Sequence, residues 1–109
     1  MTRIHVYGCC LALAAGSFAV AAAQKGDAAK GKESFEQMCS VCHNPDTTDK
    51  KVGPGLKGLF KHDKLVNGKK VSDANVLEKI NEGGNGMPSY KDMLSDTQKD
   101  DVLAYLKTL

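Results

Sequence analysis

Three segments of the chain place apolar residues at helical spacing, three or four positions apart on one face. They cover roughly residues 27–43, 72–82 and 95–109. Glycine-rich loops lie between them and no internal repeat is present, so the pattern predicts an all-α fold with three principal helices. The positions that define the helical faces are Gly31, Phe35 and Met38, then Val76, Leu77 and Ile80, then Val102, Leu103, Tyr105, Leu106 and Leu109.

Each predicted helix has residues suited to begin it. Asp27 is the expected N-cap of the first helix and Ser72 that of the second, since both side chains can accept a bond from a free backbone N–H. Ser95 and Gln98 have capping-box spacing, and the third helix is predicted to continue to the C-terminus. Gly83, followed by a second glycine, is expected to stop the second helix.

Two glycine positions leave alternatives open. Gly31 lies inside a predicted helix, where glycine is less favourable than alanine by about 1 kcal/mol. Another helix crossing closely over it would explain the glycine, and tolerance at an exposed position is the alternative. Asn67-Gly68 is typical of a two-residue turn in a small hairpin, although a plain surface loop fits as well. Residues 85–90 are expected to be irregular.

The N-terminus has the layout of a secretory signal peptide. Residues 1–8 carry Arg3, residues 9–20 are uncharged and apolar, and small alanines end the run at Ala23. This order predicts a signal peptide over residues 1–23, cleaved near Ala23, and hence a periplasmic protein. The apolar run is shorter than the roughly 20 residues that a membrane span requires. No stable membrane span is therefore expected after cleavage.

Composition and charge narrow the class of protein. The 109 residues are 41% hydrophobic and 26% charged, with a mean hydropathy of −0.34, which fits one small domain over residues 24–109. Removal of Arg3 would leave fourteen lysines against thirteen acidic residues. This balance argues against nucleic acid or a membrane surface as the main partner. A domain of this size usually needs a stabilising group besides its own core.

The stretch Cys39-Ser40-Val41-Cys42-His43 carries the chemistry. Two thiols three residues apart, followed directly by an imidazole, are the pattern for covalent attachment of a c-type haem. On one helical turn both thiols would face the same side, where each can form a thioether with the porphyrin. Cys9 and Cys10 lie in the predicted signal peptide. A disulfide, a thioredoxin-like thiol pair and a structural zinc site are the alternatives.

Three further motifs, spread over almost the whole domain, add to the motif of residues 39–43. They are Gly53-Pro54-Gly55-Leu56-Lys57-Gly58-Leu59-Phe60, Gly86-Met87-Pro88 and Val102-Leu103-Ala104-Tyr105-Leu106. Together with residues 39–43, in this order, they make the chain resemble a small monohaem class I cytochrome c. The resemblance implies one covalently bound haem c per chain, wrapped by three helices and loops.

The resemblance also implies roles for individual residues. Cys39 and Cys42 would be the thioether anchors, His43 the proximal iron ligand and Met87 the distal one. The carbonyl of Pro54 would accept the proximal imidazole's second N–H, which fixes the ring. The face of Gly31 and Phe35 would cross that of Val102 and Tyr105.

Four further side chains carry expectations of their own. Met38 is expected in the core and Met93 beneath the Met87 loop. His62 is expected in solvent, and Tyr90 in ordinary packing or near the haem.

With both axial positions filled, the expected function is one-electron transfer rather than enzymatic catalysis. The chain would be a monomeric carrier between redox protein partners of a respiratory or dehydrogenase chain, in transient complexes. Lys57, Lys61 and Lys91 would form a docking ring, or simply a solvated surface. The alternative function is a haem protein whose distal Met87 is displaceable, acting as a small-ligand sensor or peroxidase.

Overall fold

The computed structural model describes residues 25–109, together with Gly16. The predicted signal peptide, residues 1–23, therefore lies outside the described part of the chain apart from that one glycine. Helix α1 spans Ala28–Met38, α2 spans Asp73–Glu82 and α3 spans Asp96–Leu106. A short 3₁₀ helix occupies Leu59–Lys61, and residues 25–109 contain two isolated antiparallel bridges but no β-strand. The all-α prediction with three principal helices is confirmed.

The capping side chains begin the three helices as the sequence predicts. Asp27 accepts bonds from the first backbone N–H groups of α1, and Ser72 accepts from the Asn75 N–H at 3.1 Å. Ser95 and Gln98 form the full capping box, with each side chain bonded to the other residue's backbone N–H. Gly83 ends α2 with a φ of 65°, a value that favours glycine. The polar capping residues thus set where each helix begins.

Helices α1 and α3 cross closely at Gly31. A Cβ at this position would collide with the backbone oxygen of Asp101 and lie 2.9 Å from the Cβ of Tyr105. Next along the same face, the Phe35 and Tyr105 rings meet edge to face with centroids 5.4 Å apart. The crossing interpretation of Gly31 is confirmed, and the exposure alternative is wrong.

The buried core is built from α2, α3, one residue of α1 and Leu94, which lies just before α3. Its most enclosed side chains are Phe35 and Val102, which are 1% and 2% exposed. Partly buried residues from the loops pack against this core. They include Met38, Cys39, Leu56, Leu59, Phe60, Leu65, Val71, Tyr90 and Tyr105. The core therefore lies between the three helices, and the loop of residues 39–72 covers one side of it.

Three local predictions need correction. Helix α1 ends at Met38, so the cysteine motif lies just beyond the helix rather than on it. Helix α3 ends at Leu106 and does not reach the C-terminus. Met93 is 56% exposed and does not pack beneath the Met87 loop, because it lies in the turn that precedes α3. In the first two cases the helix ends before the apolar pattern does.

The turn at Asn67-Gly68 forms the small hairpin that the sequence allowed. Lys64 and Lys70 make an antiparallel bridge, and the Gly68 N–H donates to the Leu65 carbonyl at 2.9 Å. Gly68 has a φ of 82° but Asn67 has no positive φ, and the bond from the Leu65 N–H to the Lys69 carbonyl encloses three loop residues rather than the predicted two. No helix among residues 25–109 has both the length and the apolar character needed to cross a membrane.

Candidate functional site

Residues 39–43 form a turn that follows α1 directly. The Cys39 carbonyl accepts the backbone N–H groups of Cys42 at 3.1 Å and His43 at 3.0 Å, and so closes one turn after the helix has ended. Both thiols are free and half-buried. The turn keeps the three side chains in one compact group although the helix does not extend through them. The three residues therefore share one turn of the chain although α1 has ended before them.

Burial keeps the first thiol protonated. It raises the pKa of Cys39 to about 11, and the nearby Cys42 adds to the rise. A neutral thiol is a poor nucleophile, because the reactive form is the thiolate. The raised pKa of Cys39 therefore argues against a thioredoxin-like thiol pair. Residues 25–109 also contain no group of three His, Cys, Asp or Glu side chains arranged to hold a metal ion. The described residues therefore give no support to a structural zinc site.

His43 is held by the loop that follows it. Its ring nitrogen Nδ1 lies 2.8 Å from the carbonyl oxygen of Pro54, which can only accept, so Nδ1 carries the proton and donates it. Backbone bonds on either side of Pro54 fasten this loop to the motif. The Gly53 N–H donates to the Cys42 carbonyl at 2.7 Å, and the Leu56 N–H donates to the Asn44 carbonyl at 2.8 Å. The other ring nitrogen, Nε2, is thereby left unprotonated and able to bind a metal.

Gly53 is required for this arrangement because the imidazole lies against its backbone. A Cβ on Gly53 would lie 2.5 Å from Cε1 and 2.9 Å from Nδ1 of His43. Both distances are far below van der Waals contact, so any larger residue would push the ring away. The glycine of the Gly-Pro pair thus makes room for the ring, and the proline carbonyl orients it.

Met87 lies at the end of a tight two-residue hairpin. Gly84 and Met87 exchange both backbone bonds, at 2.9 and 3.1 Å, across Asn85 and Gly86. Both central residues have positive φ, 53° and 90°, as the turn type that suits hairpins requires. The prediction that residues 85–90 are irregular is wrong at this point. The Asn-Gly dipeptide here carries the same signal that predicted the turn at residues 67–68.

Tyr90 connects the Met87 loop to the cysteine motif. Its hydroxyl donates to the Met38 carbonyl at 2.9 Å, at the residue where α1 ends. Burial raises the pKa of the Tyr90 hydroxyl, and the neighbouring Cys39 and Cys42 add to the rise. This link joins positions 52 residues apart in sequence, and no local pattern could have predicted it.

The remaining predicted side chains lie away from this group. His62 is exposed, with Nε2 3.3 Å from the Lys57 carbonyl, as the solvated interpretation expects. Lys57 and Lys61 line a surface crevice of about 550 Å³ together with Asp46 and Asp49. Lys91 is exposed and is not part of this crevice. The structure therefore places two of the three predicted docking lysines in one crevice that also carries two carboxylates.

The side chains of the site fit a covalently attached haem. Two free thiols stand three residues apart, and the adjacent imidazole keeps one nitrogen for iron. On another element, Met87 offers a soft sulfur. The donor set suits iron in a porphyrin, which supplies the other four ligands itself.

Comparison with known proteins agrees with this geometry. Residues 26–106 match the family model described as cytochrome C oxidase, cbb3-type, subunit III. Cytochrome c6 of Synechocystis is 35% identical over 89% of this chain and 78% of its own length. Cytochrome c2 of Blastochloris viridis is 39% identical over 96% of this chain and 92% of its own length. The chain therefore belongs to the c-type cytochromes.

Within that class it is a small class I monohaem cytochrome. The solved structure of cytochrome c6 from the diatom Phaeodactylum tricornutum has the same fold, with a TM-score of 0.61 and 25% identity. The match covers 76% of this chain and 93% of the diatom protein. The cofactor is a covalently bound haem c, and the protein is an electron carrier rather than an enzyme. The predicted class, fold and cofactor are thus confirmed.

Proposed function

We propose that this cytochrome is a periplasmic one-electron carrier with His43 and Met87 as the axial ligands of its haem. Electrons would pass between redox protein partners of a respiratory or dehydrogenase chain in transient encounters of a monomer. The observation that carries the proposal is the 2.8 Å contact between His43 Nδ1 and the Pro54 carbonyl. This contact fixes the tautomer that turns Nε2 toward a metal.

Each residue of the site has one task in this proposal. Cys39 and Cys42 fix the porphyrin through thioethers, so that the group cannot dissociate while its charge changes. His43 donates Nδ1–H to Pro54, which fixes the ring and increases the donor strength of Nε2. Met87 offers a thioether, a soft ligand that favours ferrous iron. When bound, haem c supplies an iron that cycles between the ferric and ferrous states.

A closed site favours electron transfer over ligand binding. The hairpin bonds between Gly84 and Met87 hold the distal side chain in a turn with little freedom. A sensor or peroxidase needs an axial position that opens readily. We therefore prefer the carrier to the alternative of a displaceable distal methionine. A relatively positive reduction potential is expected for this ligand pair, since the thioether disfavours ferric iron.

The ligand assignment is tested by the visible spectrum of the matured holoprotein. Ferric haem with a methionine ligand shows a weak sulfur-to-iron charge-transfer band, and we expect this band in the wild type. Met87→Ala should abolish it, whereas Met93→Ala should leave it intact because Met93 is 56% exposed in a turn. Loss of the band in Met93→Ala alone would overturn the assignment of Met87.

The export and partner proposals need separate measurements. We expect the mature protein in the periplasmic fraction. Its mass should equal that of a polypeptide that begins at Gln24, plus one haem. A cytoplasmic chain that retains residues 1–23 would contradict the proposed location. If lysines steer the partner, reduction by that partner should slow as salt rises. A rate independent of ionic strength would exclude steering by charge.

A further inference from the structure

The arm of the hairpin that leads into Met87 is held by a lysine side chain. Lys79 lies in the last turn of α2, and its Nζ donates to the Gly83 carbonyl at 3.0 Å and to the Gly84 carbonyl at 3.3 Å. A charged donor at this end of a helix also meets the negative end of the helix dipole. Lys79 therefore fixes the two residues that precede the turn.

The arm that leads away from Met87 is held by the same helix end. The Ser89 hydroxyl donates to the Asn81 carbonyl, and the Tyr90 N–H donates to the Ile80 carbonyl at 3.0 Å. These two carbonyls belong to the last turn of α2, where a helix provides no partners of its own. The free carbonyls of the helix thus become the attachment points of the loop.

The loop between the two attachments has little slack. Gly84 and Met87 are bonded to each other across two residues with positive φ. A Cβ on Gly83 would collide with the Met87 carbonyl and lie 2.6 Å from the Pro88 oxygen, so the two arms lie against each other. Met87 cannot withdraw far unless the bonds of at least one arm break.

We propose that Lys79 and Ser89 are positioning residues for Met87. By holding both arms on α2, they set the free energy needed to withdraw the methionine sulfur from iron. They thereby set how well an outside ligand competes for that position. The inference rests on the proposed role of Met87 as distal ligand. It adds the residues that control its release, which lie 8 positions before and 2 positions after it.

Linkage gives the size and sign of the effect. A ligand can replace Met87 only in molecules whose Met87 loop is open. Its apparent association constant is therefore its intrinsic constant multiplied by the fraction of protein that is open. Each hydrogen bond that is lost on opening reduces that fraction by about three- to tenfold. Removing such a bond by mutation should tighten binding of an outside ligand by the same factor.

The test measures the affinity of the ferric holoprotein for imidazole. Binding is monitored through the loss of the charge-transfer band. We expect Lys79→Gln to bind imidazole about tenfold more tightly than wild type and Ser89→Ala about threefold more tightly. Lys79→Arg should restore most of the wild-type value because it keeps the charged donor. Lys69→Gln is the control for charge, since Lys69 pairs with Glu78 on the exposed face of α2 at 2.9 Å. Ser40→Ala is the control for a serine bonded to a carbonyl, here that of Glu36.

The outcomes separate this inference from the proposed function. Wild-type protein without the charge-transfer band would overturn the distal role of Met87 and this inference with it. With the band present, equal imidazole affinity in Lys79→Gln, Ser89→Ala and both controls would overturn only the positioning inference. Unfolding is measured on the same variants. A merely structural role would lower the stability of Lys79→Gln without changing its imidazole affinity, and would also overturn the inference.

Discussion

The α1–α3 crossing and the loop of residues 39–72 are stabilised in different ways. At the crossing, Phe35, Val102 and Leu106 are no more than 4% exposed and pack without help from another group. From residue 36 to residue 75, by contrast, no residue is buried. The apolar residues of this stretch, such as Leu56 and Phe60, are only half-buried.

The difference leads to an expectation about the role of the haem in the fold. The loop carries both cysteines, His43 and Pro54, and yet it has no core of its own. Half-buried apolar side chains beside a covalent attachment motif need a flat apolar surface to complete their burial. We expect the haem to provide that surface, which would make the cofactor part of the core. The helix crossing is the part that the protein builds alone.

Loss of haem attachment should have the largest effect on the stability of the loop of residues 39–72. We expect Cys39→Ala/Cys42→Ala to lose cooperative unfolding, because the loop has nothing to pack against and the remaining core is small. The measurement is denaturant unfolding followed by circular dichroism. Ser40→Ala, in the same motif, is the control and should keep both haem and cooperativity. A cooperative transition in the double variant, as stable as the holoprotein, would show that the loop does not depend on the haem.

A clash at the helix crossing should have the next largest effect. Gly31→Val places side-chain atoms against the Asp101 backbone and should lower the free energy of unfolding by about 3 kcal/mol or more. Lys32→Val introduces the same residue at an exposed position of α1 and controls for helix propensity. Equilibrium denaturation of the holoproteins gives both values. Equal stability of the two variants would contradict the crossing as the source of the effect.

On the loop side, we expect a smaller effect from Gly53→Ala. The new Cβ would lie 2.5 Å from His43 Cε1, so the ring or the Gly-Pro segment must shift. We expect a loss of about 1–3 kcal/mol in unfolding free energy. Val52→Ala is the control, because Val52 is 67% exposed and its truncation should cost no more than about 0.5 kcal/mol. A loss in Gly53→Ala no greater than in this control would mean that the ring has room to move.

The smallest effect concerns the link between the two regions. Tyr90→Phe removes the hydroxyl that donates to the Met38 carbonyl and should lower stability at pH 7 by about 1 kcal/mol. In the proposed holoprotein the cysteine sulfurs would be thioethers, so burial, the largest cause, is what would still raise the pKa of Tyr90 above its ordinary value. The folded state then holds its phenolic proton where the unfolded state has released it.

This pKa shift fixes the sign of the pH dependence. The contribution of Tyr90 is complete below pH 10 and is lost as pH rises through the folded pKa. Wild-type stability should therefore fall above pH 10, and Tyr90→Phe should flatten part of that fall. Burial also raises the pKa of Tyr105, with Asp46 and Glu36 adding to the rise, so some of the fall should remain. Identical pH profiles for wild type and Tyr90→Phe would contradict the role of Tyr90.

Local patterns in the sequence were sufficient for the helices and for the proximal half of the site. Apolar spacing and capping residues determined the three helices, because both act within a few residues of the chain. The Cys-x-x-Cys-His spacing determined the cofactor for the same reason. Resemblance to a family then predicted Pro54 as the partner of His43, and the structure shows the contact at 2.8 Å. The Asn85-Gly86 turn was also readable, from the same dipeptide that identified residues 67–68.

Only the tertiary structure decided where the helices stop and what holds Met87. The apolar pattern continues past Met38 and Leu106, but the backbone bonding changes where the helices end. After Met38, for example, the Ser40 N–H donates to the Phe35 carbonyl five residues back instead of four. The Tyr90 hydroxyl bonds to the carbonyl of Met38, 52 residues away, and the Lys79 and Ser89 side chains that hold the Met87 loop also bond to carbonyls. A carbonyl has no side-chain identity, so the sequence by itself does not record which one is free. The sequence determined the chemistry of this cytochrome, and the packing of α2 against its own loop decided how firmly Met87 is held.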